Sequence, residues 1–356
     1  MSDQEVVTSR TSAYAFVPAK TIDESSLIKF AATVWPERPP YDRILSCWWR
    51  RAEPTCAIAA VHEPTGVMAG LCAGRPSEWI IAGRMHPAVA ICDWYVTPEH
   101  AGKLLGKRLV RHFDVPGRFM YAFSMSDAAI AYLKRLGWVG PYTSSFLVLP
   151  LPRVARIPLS FMGTRNGLDL HDHDIGGGET LGALGSALDR IETRGADPAI
   201  ARMRRGAAEW SWRLSICGRR HYRFCVAHQA GVPAGYVVVR RMTPGSSRLL
   251  GKLECAIITD LVAANDDPQV IRALAARAAA LAGEMRSVVG LICTTSPTQR
   301  RQLAAMGFVS SGFPLLGRFL ERRAPVFMWA PRGPASRLEA DGMAFTFADS
   351  DVDLAL

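Results

Sequence analysis

The sequence predicts an α/β protein built from two related units. Three observations carry that expectation. Apolar strand-like runs alternate with amphipathic helix-like runs, a glycine-bracketed turn joins one such pair between Asp93 and His112, and landmarks of the first half recur in order in the second. The length of 356 residues suits about two domains of ordinary size.

The segment from Asp93 to Val110, DWYVTPEHAGKLLGKRLV, is the most informative. Asp93 to Val96 is aromatic and β-branched, and Pro98 ends that strand. Gly102 and Gly106 bracket a turn that opens a helix running through Leu109 to His112. A helix start of this kind offers unpaired backbone N–H groups to an anion. Lys103, Lys107, Arg108 and Arg111 fall in or beside the first turns, where a cation costs a helix roughly 0.3–1 kcal/mol. An anionic partner explains them, and a solvated basic face on an ordinary connection is the alternative.

A second apolar strand, Phe119 to Phe123, follows, and then Ser126 to Leu136 reads as an amphipathic helix stopped by Gly137 with Trp138 behind it. This order of strand, glycine turn, helix, strand, helix and Gly-aromatic pair resembles the GNAT superfamily of N-acetyltransferases. PEHAGKLLGKRLV is similar to that family's coenzyme A pyrophosphate loop, and AIAYLKRLGW to its following helix. The resemblance implies a twisted mixed sheet flanked by helices, with an acyl-CoA, acetyl-CoA first among them, as co-substrate. It implies donor contacts at Tyr95, Val96, Ala101, Gly102, Lys103, Leu104, Leu105, Gly106, Lys107 and Ser126. Two departures stand beside the match. The family's Gln or Arg, Gly, and Gly or Ala places hold Ala101, Leu104 and Gly106. Many relatives place an acidic tyrosine four residues before the glycine, where this chain has Leu133, with Tyr132 about 100° round the helix.

The internal repeat is read from four landmarks. Trp49 matches Trp212 (212−49=163), Gly70 matches Gly235 (235−70=165), Asp93 matches Asp260 (260−93=167), and Gly137 matches Gly307 (307−137=170). The chain therefore divides, on sequence, into residues 1–155 with the donor site, residues 156–175 as linker and start of the second unit, and residues 176–356 as a degenerate second GNAT-like unit. Where the first copy has its loop, the second has AANDDPQVIRALAARAAALAG, and Asp266 and Asp267 there would repel a pyrophosphate. The run His171 to Asp174 alternates as a strand does, and no third distant ligand accompanies it, so no metal is expected.

Composition excludes other classes. Hydrophobic residues make up 49% and charged residues 21%, a globular balance. No apolar run reaches the roughly 18–20 residues of a membrane span, and the first residues lack a signal-like core, so a cytoplasmic protein is expected. Eight cysteines, mostly in apolar runs without CxxC pairs, suit reduced thiols. The net charge of +10 favours anionic partners, yet arginines are dispersed and no basic stretch interleaves with aromatics.

The leading expectation is acyl transfer to an amine, with Asp93 as base and Tyr132 as the residue that protonates the thiolate. Asp93 and Tyr95 share one face of their strand and Trp94 the other. Trp35, Trp48, Trp49 and Trp79 are candidates for the acceptor's walls, with Trp79 in RPSEWIIAGRMH preferred and the paired tryptophans read as core. Two alternatives stay open: a Fem-like transferase taking its acyl group from charged tRNA, and a CoA- or partner-binding module without chemistry. The acceptor's identity, the acyl length and the oligomeric state are not given by the residues.

Overall fold

The computed structural model describes residues 13–36, 49, 56–123, 125–143, 146–150, 167–176, 181–194, 200–217, 221–241, 254–310, 326–336, 338–339, 342–346 and 348. The chain forms two compact units, one of Met1–Arg75 with Ile91–Val115, the other of Pro76–Ala90 with Pro116–Leu356.

In the first half of the chain, β1 (Tyr14–Pro18), β2 (Ala57–His62), β3 (Val67–Ile81) and β4 (Arg84–Val96) lie side by side in chain order, with residues 76–81 of β3 and 84–90 of β4 belonging to the second unit. The pairs β1/β2 and β2/β3 are antiparallel. Helix α1 (Glu24–Val34) starts where the Asp23 carboxylate accepts the Ser26 N–H at 2.8 Å. Hydrogen bonds from Ser25 and Ser26 hold the Asp23 carboxyl down at about 2. The helix buries Leu27, Phe30 and Ala31, spaced three and four apart, against Trp49, Ala57, Ala59 and Leu71. Helix α2 (Leu105–Arg111) buries Leu105, Leu109 and Val110. Beneath it Gly70 is required: a Cβ there would stand 2.8 Å from the Tyr95 carbonyl oxygen and 3.2 Å from Leu109.

In the second unit, β5 (Phe119–Phe123), α3 (Asp127–Arg135), β6 (Val139–Thr143), β7 (Phe146–Pro150), β8 (Leu168–Gly176), α4 (Gly182–Thr193), β9 (Ala201–Met203) and α5 (Ala207–Cys217) follow in turn. Then come β10 (His221–Gln229), β11 (Val232–Arg241), β12 (Cys255–Ala263), α6 (Pro268–Glu284), β13 (Val289–Cys293), α7 (Pro297–Ala305), β14 (Val309–Ser310), β15 (Val326–Trp329) and β16 (Met343–Ala344). A seven-stranded sheet has the order β14-β7-β13-β12-β11-β10-β8. Its one parallel pair, β12/β13, is the pair joined by a helical crossover, α6, as parallel pairing requires. That helix is alanine-rich, carries Pro268 at its first position, and packs Val270, Ile271, Leu274 and Leu281 into the core of this sheet.

The two copies exchange a strand. β7 follows β6 in the chain but lies between β13 and β14, while β15, from the second half, lies between β5 and β6. The compact units differ from the division 1–155, 156–175 and 176–356, since their boundaries fall within β3, within β4 and just before β5. Residues 156–166 of the linker and Trp48 lie outside the described residues.

The repeat is visible contact by contact. Gly235, the match of Gly70, would set a Cβ 2.6 Å from the carbonyl oxygen of Val262, the match of Tyr95 (262−95=167). Gly137 and Gly307 both end helices in the left-handed region, at φ 82° and 90°. The N–H of the aromatic behind each, Trp138 and Phe308, bonds back to Leu133 and Leu303 at 3.0 Å.

The HDHD run lies in β8, paired with β10. Asp172 accepts from Nε of Arg277 at 3.1 Å, and Arg277 and Arg223 both reach Glu284. No group of three His, Cys, Asp or Glu side chains suited to a metal occurs among the described residues. Burial pushes the Asp172 and Glu284 carboxyls up, but the arginine hydrogen bonds and charges outweigh it and hold both below their ordinary values. Their contribution is therefore complete above the ordinary carboxylate range and lost as pH falls through the depressed values, below about 4. These groups are partly exposed, so the stake is under about 1 kcal/mol. Melting temperature measured from pH 6 to pH 3 is expected to fall less steeply in Asp172→Asn than in the wild type.

Among the described residues no helix is long and apolar enough to cross a membrane. Cys56, Cys72, Cys92, Cys225, Cys255 and Cys293 are free thiols, all but Cys92 buried.

Candidate active site

Strand β4 breaks its regularity at Asp93, which has φ 42°. A side chain in that region costs on the order of 1–3 kcal/mol and marks a local bulge. The matching strand β12 carries its own register shift, with Thr259 as the extra residue between Ile258 and Asp260. Because of the irregularity, Cys92 as well as Tyr95 packs against the core that holds Trp49. The Asp93 carboxylate accepts a hydrogen bond from the Trp49 indole Nε1 at 3.0 Å. Trp94 takes the other side, where its ring lies against Gly106: a Cβ on that glycine would be 3.1 Å from Trp94 Cζ2.

After β4, Thr97 N–H bonds the Ala69 carbonyl at 2.9 Å, and Pro98–His100 forms one tight turn. The loop then runs exposed through Ala101, Gly102, Lys103 and Leu104 until Leu105 enters the core. Gly102 has φ 77° and Leu104 φ 58°. Leu104 stands at the position before the helix and supplies no side-chain hydrogen bond to its first N–H groups. Val96 packs with Leu105, Ala69 and Tyr14. Lys103 is turned toward β1, its Nζ donating to the Tyr14 hydroxyl at 2.9 Å, and that hydroxyl lies 2.8 Å from His100 Nδ1. Partial burial and the charges of His62 and Lys103 lower the His100 pKa. Lys107 is half-buried in the first turn of α2.

Leu104 is the costly residue of this loop. A left-handed non-glycine residue is strained by roughly 1–2 kcal/mol, and this leucine is 65% exposed, so little packing offsets the strain. Leu104→Gly is expected to leave stability unchanged or raise it by about 1 kcal/mol. A chemical melt of the two proteins reads the difference.

The second copy fills the same place differently. Asp267 caps α6, accepting from Gln269 N–H at 2.7 Å and Val270 N–H at 3.4 Å. Asp266 accepts from the Ser296 hydroxyl at 3.1 Å. Two carboxylates and a satisfied helix start leave nothing there for an anion. Asp260, the match of Asp93, is fully buried and accepts from Arg205 at 3.1 Å, Tyr236 at 2.8 Å, Thr346 at 3.0 Å and the Leu261 N–H at 3.0 Å. Its role is architectural.

Three other residues singled out in the sequence lie in the second unit. Ser126 caps α3, accepting from the Ala129 N–H at 3.3 Å. Tyr132 is half-buried with the Arg135 guanidinium 5.2 Å from its ring, and Leu133 beside it is core. Trp79 corrects an expectation. It is 0% exposed, packed on Phe119 and Tyr121 at ring distances of 4.8 and 5.1 Å, so it is a core residue and not an exposed wall for a substrate. The reason is that β3 runs on far enough to pair with β9, which covers this face with Met203. Trp49, read from sequence as core alone, is both core and hydrogen-bond donor to Asp93.

Residues 23–138 match the model of the acetyltransferase (GNAT) family. No curated protein matches the chain in sequence. Among solved structures, the chain is similar to a tandem GNAT protein from the clavulanic acid biosynthesis pathway, at 16% identity and TM-score 0.52, covering 89% of this chain and 98% of that one. It is similar also to a GCN5-related N-acetyltransferase from Anabaena variabilis, at 11% identity and TM-score 0.51, covering 89% and 72%. A third is the N-myristoyltransferase of Saccharomyces cerevisiae with bound myristoyl-CoA, at 13% identity and TM-score 0.52, covering 89% and 82%. At these identities the likeness is one of fold. Residues 23–138 therefore match the GNAT acetyltransferase family, in a chain with the fold of tandem GNAT proteins.

Proposed function

We propose that the protein transfers an acyl group, acetyl first among the candidates, from acyl-CoA to an amine, with the donor held by the loop between β4 and α2. One observation carries this reading. The family match spans the whole of that loop, whose backbone is exposed and whose helix start lacks a side-chain cap, while the second copy's counterpart is closed by Asp267. The residues present fit a diphosphate in that place: Gly102, at φ 77° and with no atom within 4 Å of where a Cβ would stand, allows close approach, and Lys107 and Arg108 bring positive charge.

The donor supplies a thioester carbonyl, whose C–S bond breaks as the amine's N–C bond forms. Asp93 is the proposed acceptor of the ammonium proton, oriented by Trp49. A backbone N–H beside the β4 irregularity is the proposed donor to the carbonyl oxygen. Tyr132, outside the unit that holds the loop, is kept as the proposed proton donor to the thiolate on the sequence alone.

Release of free thiol from acetyl-CoA, followed with and without a mixture of amines, tests the reading. Amine-dependent release that disappears in Asp93→Asn supports it. Absence of any acetyl-CoA binding, with binding of charged tRNA instead, would transfer the donor role to an aminoacyl-tRNA, and binding of acetyl-CoA without release would leave a module without chemistry.

A further inference from the structure

We infer that the second unit carries a binding site of its own, for a free aliphatic amino acid in its zwitterionic form, in the cavity lined by the β10–β11 hairpin and the start of α6. The inference stands apart from the acyl-transfer reading, since no residue of the donor loop takes part in it.

The cavity measures about 620 Å³, inside the roughly 300–1,000 Å³ range of small-molecule sites. Arg194 and Asp267, of opposite charge, both line it. Arg194 stands directly behind α4, its N–H bonded to the Ile191 carbonyl at 3.2 Å, and its guanidinium makes one long hydrogen bond, from Nη1 to the Pro233 carbonyl at 3.5 Å. Asp267 is held by the cap of α6, where the Gln269 and Val270 N–H groups both donate to Oδ1. Among the described residues neither charge has an ion-pair partner, and Asp267 Oδ2 accepts no hydrogen bond. Val232, Ala234 and Val270 give the cavity an apolar wall.

Comparison of the two copies shows why the space exists. In the first, the last paired residue of β2 is His62, opposite Tyr14 of β1, and His100 stands at the place of Asp267 (267−100=167). Those three rings meet at centroid distances of 5.2, 5.5 and 5.1 Å and fill the place. In the second copy the last paired residue of β10 is Gln229, opposite Leu168 of β8. Three rings have given way to Gln229, Leu168 and Asp267, which leaves a cavity with a carboxylate on its wall.

A guanidinium and a carboxylate that share a cavity without pairing select a ligand that carries both charges. The guanidinium fork matches a carboxylate in two hydrogen bonds, and Asp267 Oδ2 accepts from an ammonium. A simple anion would be repelled by Asp267 and a simple cation by Arg194. The apolar wall accepts an aliphatic side chain.

The test uses the full chain with L-leucine and two analogues of the same branched chain: isoamylamine, which lacks the carboxylate, and isocaproate, which lacks the ammonium. Titration calorimetry reads the binding. The wild type is expected to bind one L-leucine per chain, at least about tenfold more tightly than either analogue. Arg194→Gln, at an exposed position, and Asp267→Asn, which keeps a helix cap, are each expected to weaken leucine about tenfold while the melt stays cooperative. Gly106→Trp is expected to bind leucine as the wild type does, which separates this site from the donor loop. No saturable heat at millimolar leucine, equal affinity for either analogue, or full affinity in either charge variant would overturn the inference. Loss of leucine binding in a folded Gly106→Trp protein would also overturn it, by moving the ligand to the first unit.

Discussion

Gly106→Trp is expected to abolish acetyl-CoA binding while leaving the fold in place. The glycine lies where α2 begins, and a Cβ there would already stand 3.1 Å from the Trp94 ring, tighter than an ordinary contact. A methyl group needs Trp94 to yield by a few tenths of an ångström, so Gly106→Ala is a mild control. An indole finds no room toward Trp94, so it must displace that ring and the start of α2, beside the loop that the donor's diphosphate would occupy. Under the proposed donor site, acetyl-CoA at a hundred times its Kd is expected to stabilise the wild type by about 2.7 kcal/mol, which corresponds to a rise of roughly 5 °C in Tm for a chain of this size. The variant is expected to show no rise at the same concentration, with its own Tm in the absence of ligand confirming that it folds.

The largest stability effect is expected for Asp260→Ala. Asp260 is fully buried and pairs with Arg205, itself 3% exposed. Removing the carboxylate takes from the buried guanidinium the counter-charge that Asp260 supplies, and from the hydroxyls of Tyr236 and Thr346 one of their hydrogen-bond acceptors. Breaking a buried pair from one side costs about 3–5 kcal/mol. Donor binding at β4 and α2, by contrast, is expected to survive in whatever fraction remains folded. Denaturant unfolding checks the first statement and calorimetry the second. A loss below about 1 kcal/mol would show that the network is not the framework described here.

The two aspartates also explain what sequence could and could not show. Asp93 and Asp260 occupy matching places in the repeat, and the alignment of landmarks found both. Their different roles come from partners far away in the chain. Asp93 meets an indole 44 residues earlier, and Asp260 an arginine 55 residues earlier and a threonine 86 residues later. No local pattern announces such pairs. The loop from Pro98 to Gly106, the glycines at 70, 137, 235 and 307, and the alternation of strands and helices were legible because each is a local signal of backbone geometry. The exchange of β7 and β15 was not. FLVLP and VFMW are short apolar runs that suit any open slot in a sheet, and only the assembled partners decide which slot each fills. Trp79 differs from expectation for a similar reason: its neighbours in sequence look irregular, while its burial comes from Phe119 and Tyr121, about 40 residues on, and from β9, more than a hundred residues on. Lys103 fits an anion-binding loop by position, yet its ammonium is spent on Tyr14.

The central claim is that one copy of the repeat binds the donor and the other does not. Titration calorimetry of the full chain with acetyl-CoA tests it most directly, by stoichiometry. One site per chain is predicted, absent in Gly106→Trp and unchanged in Asp267→Ala. Two sites per chain, or a single site that persists in Gly106→Trp, would contradict the account.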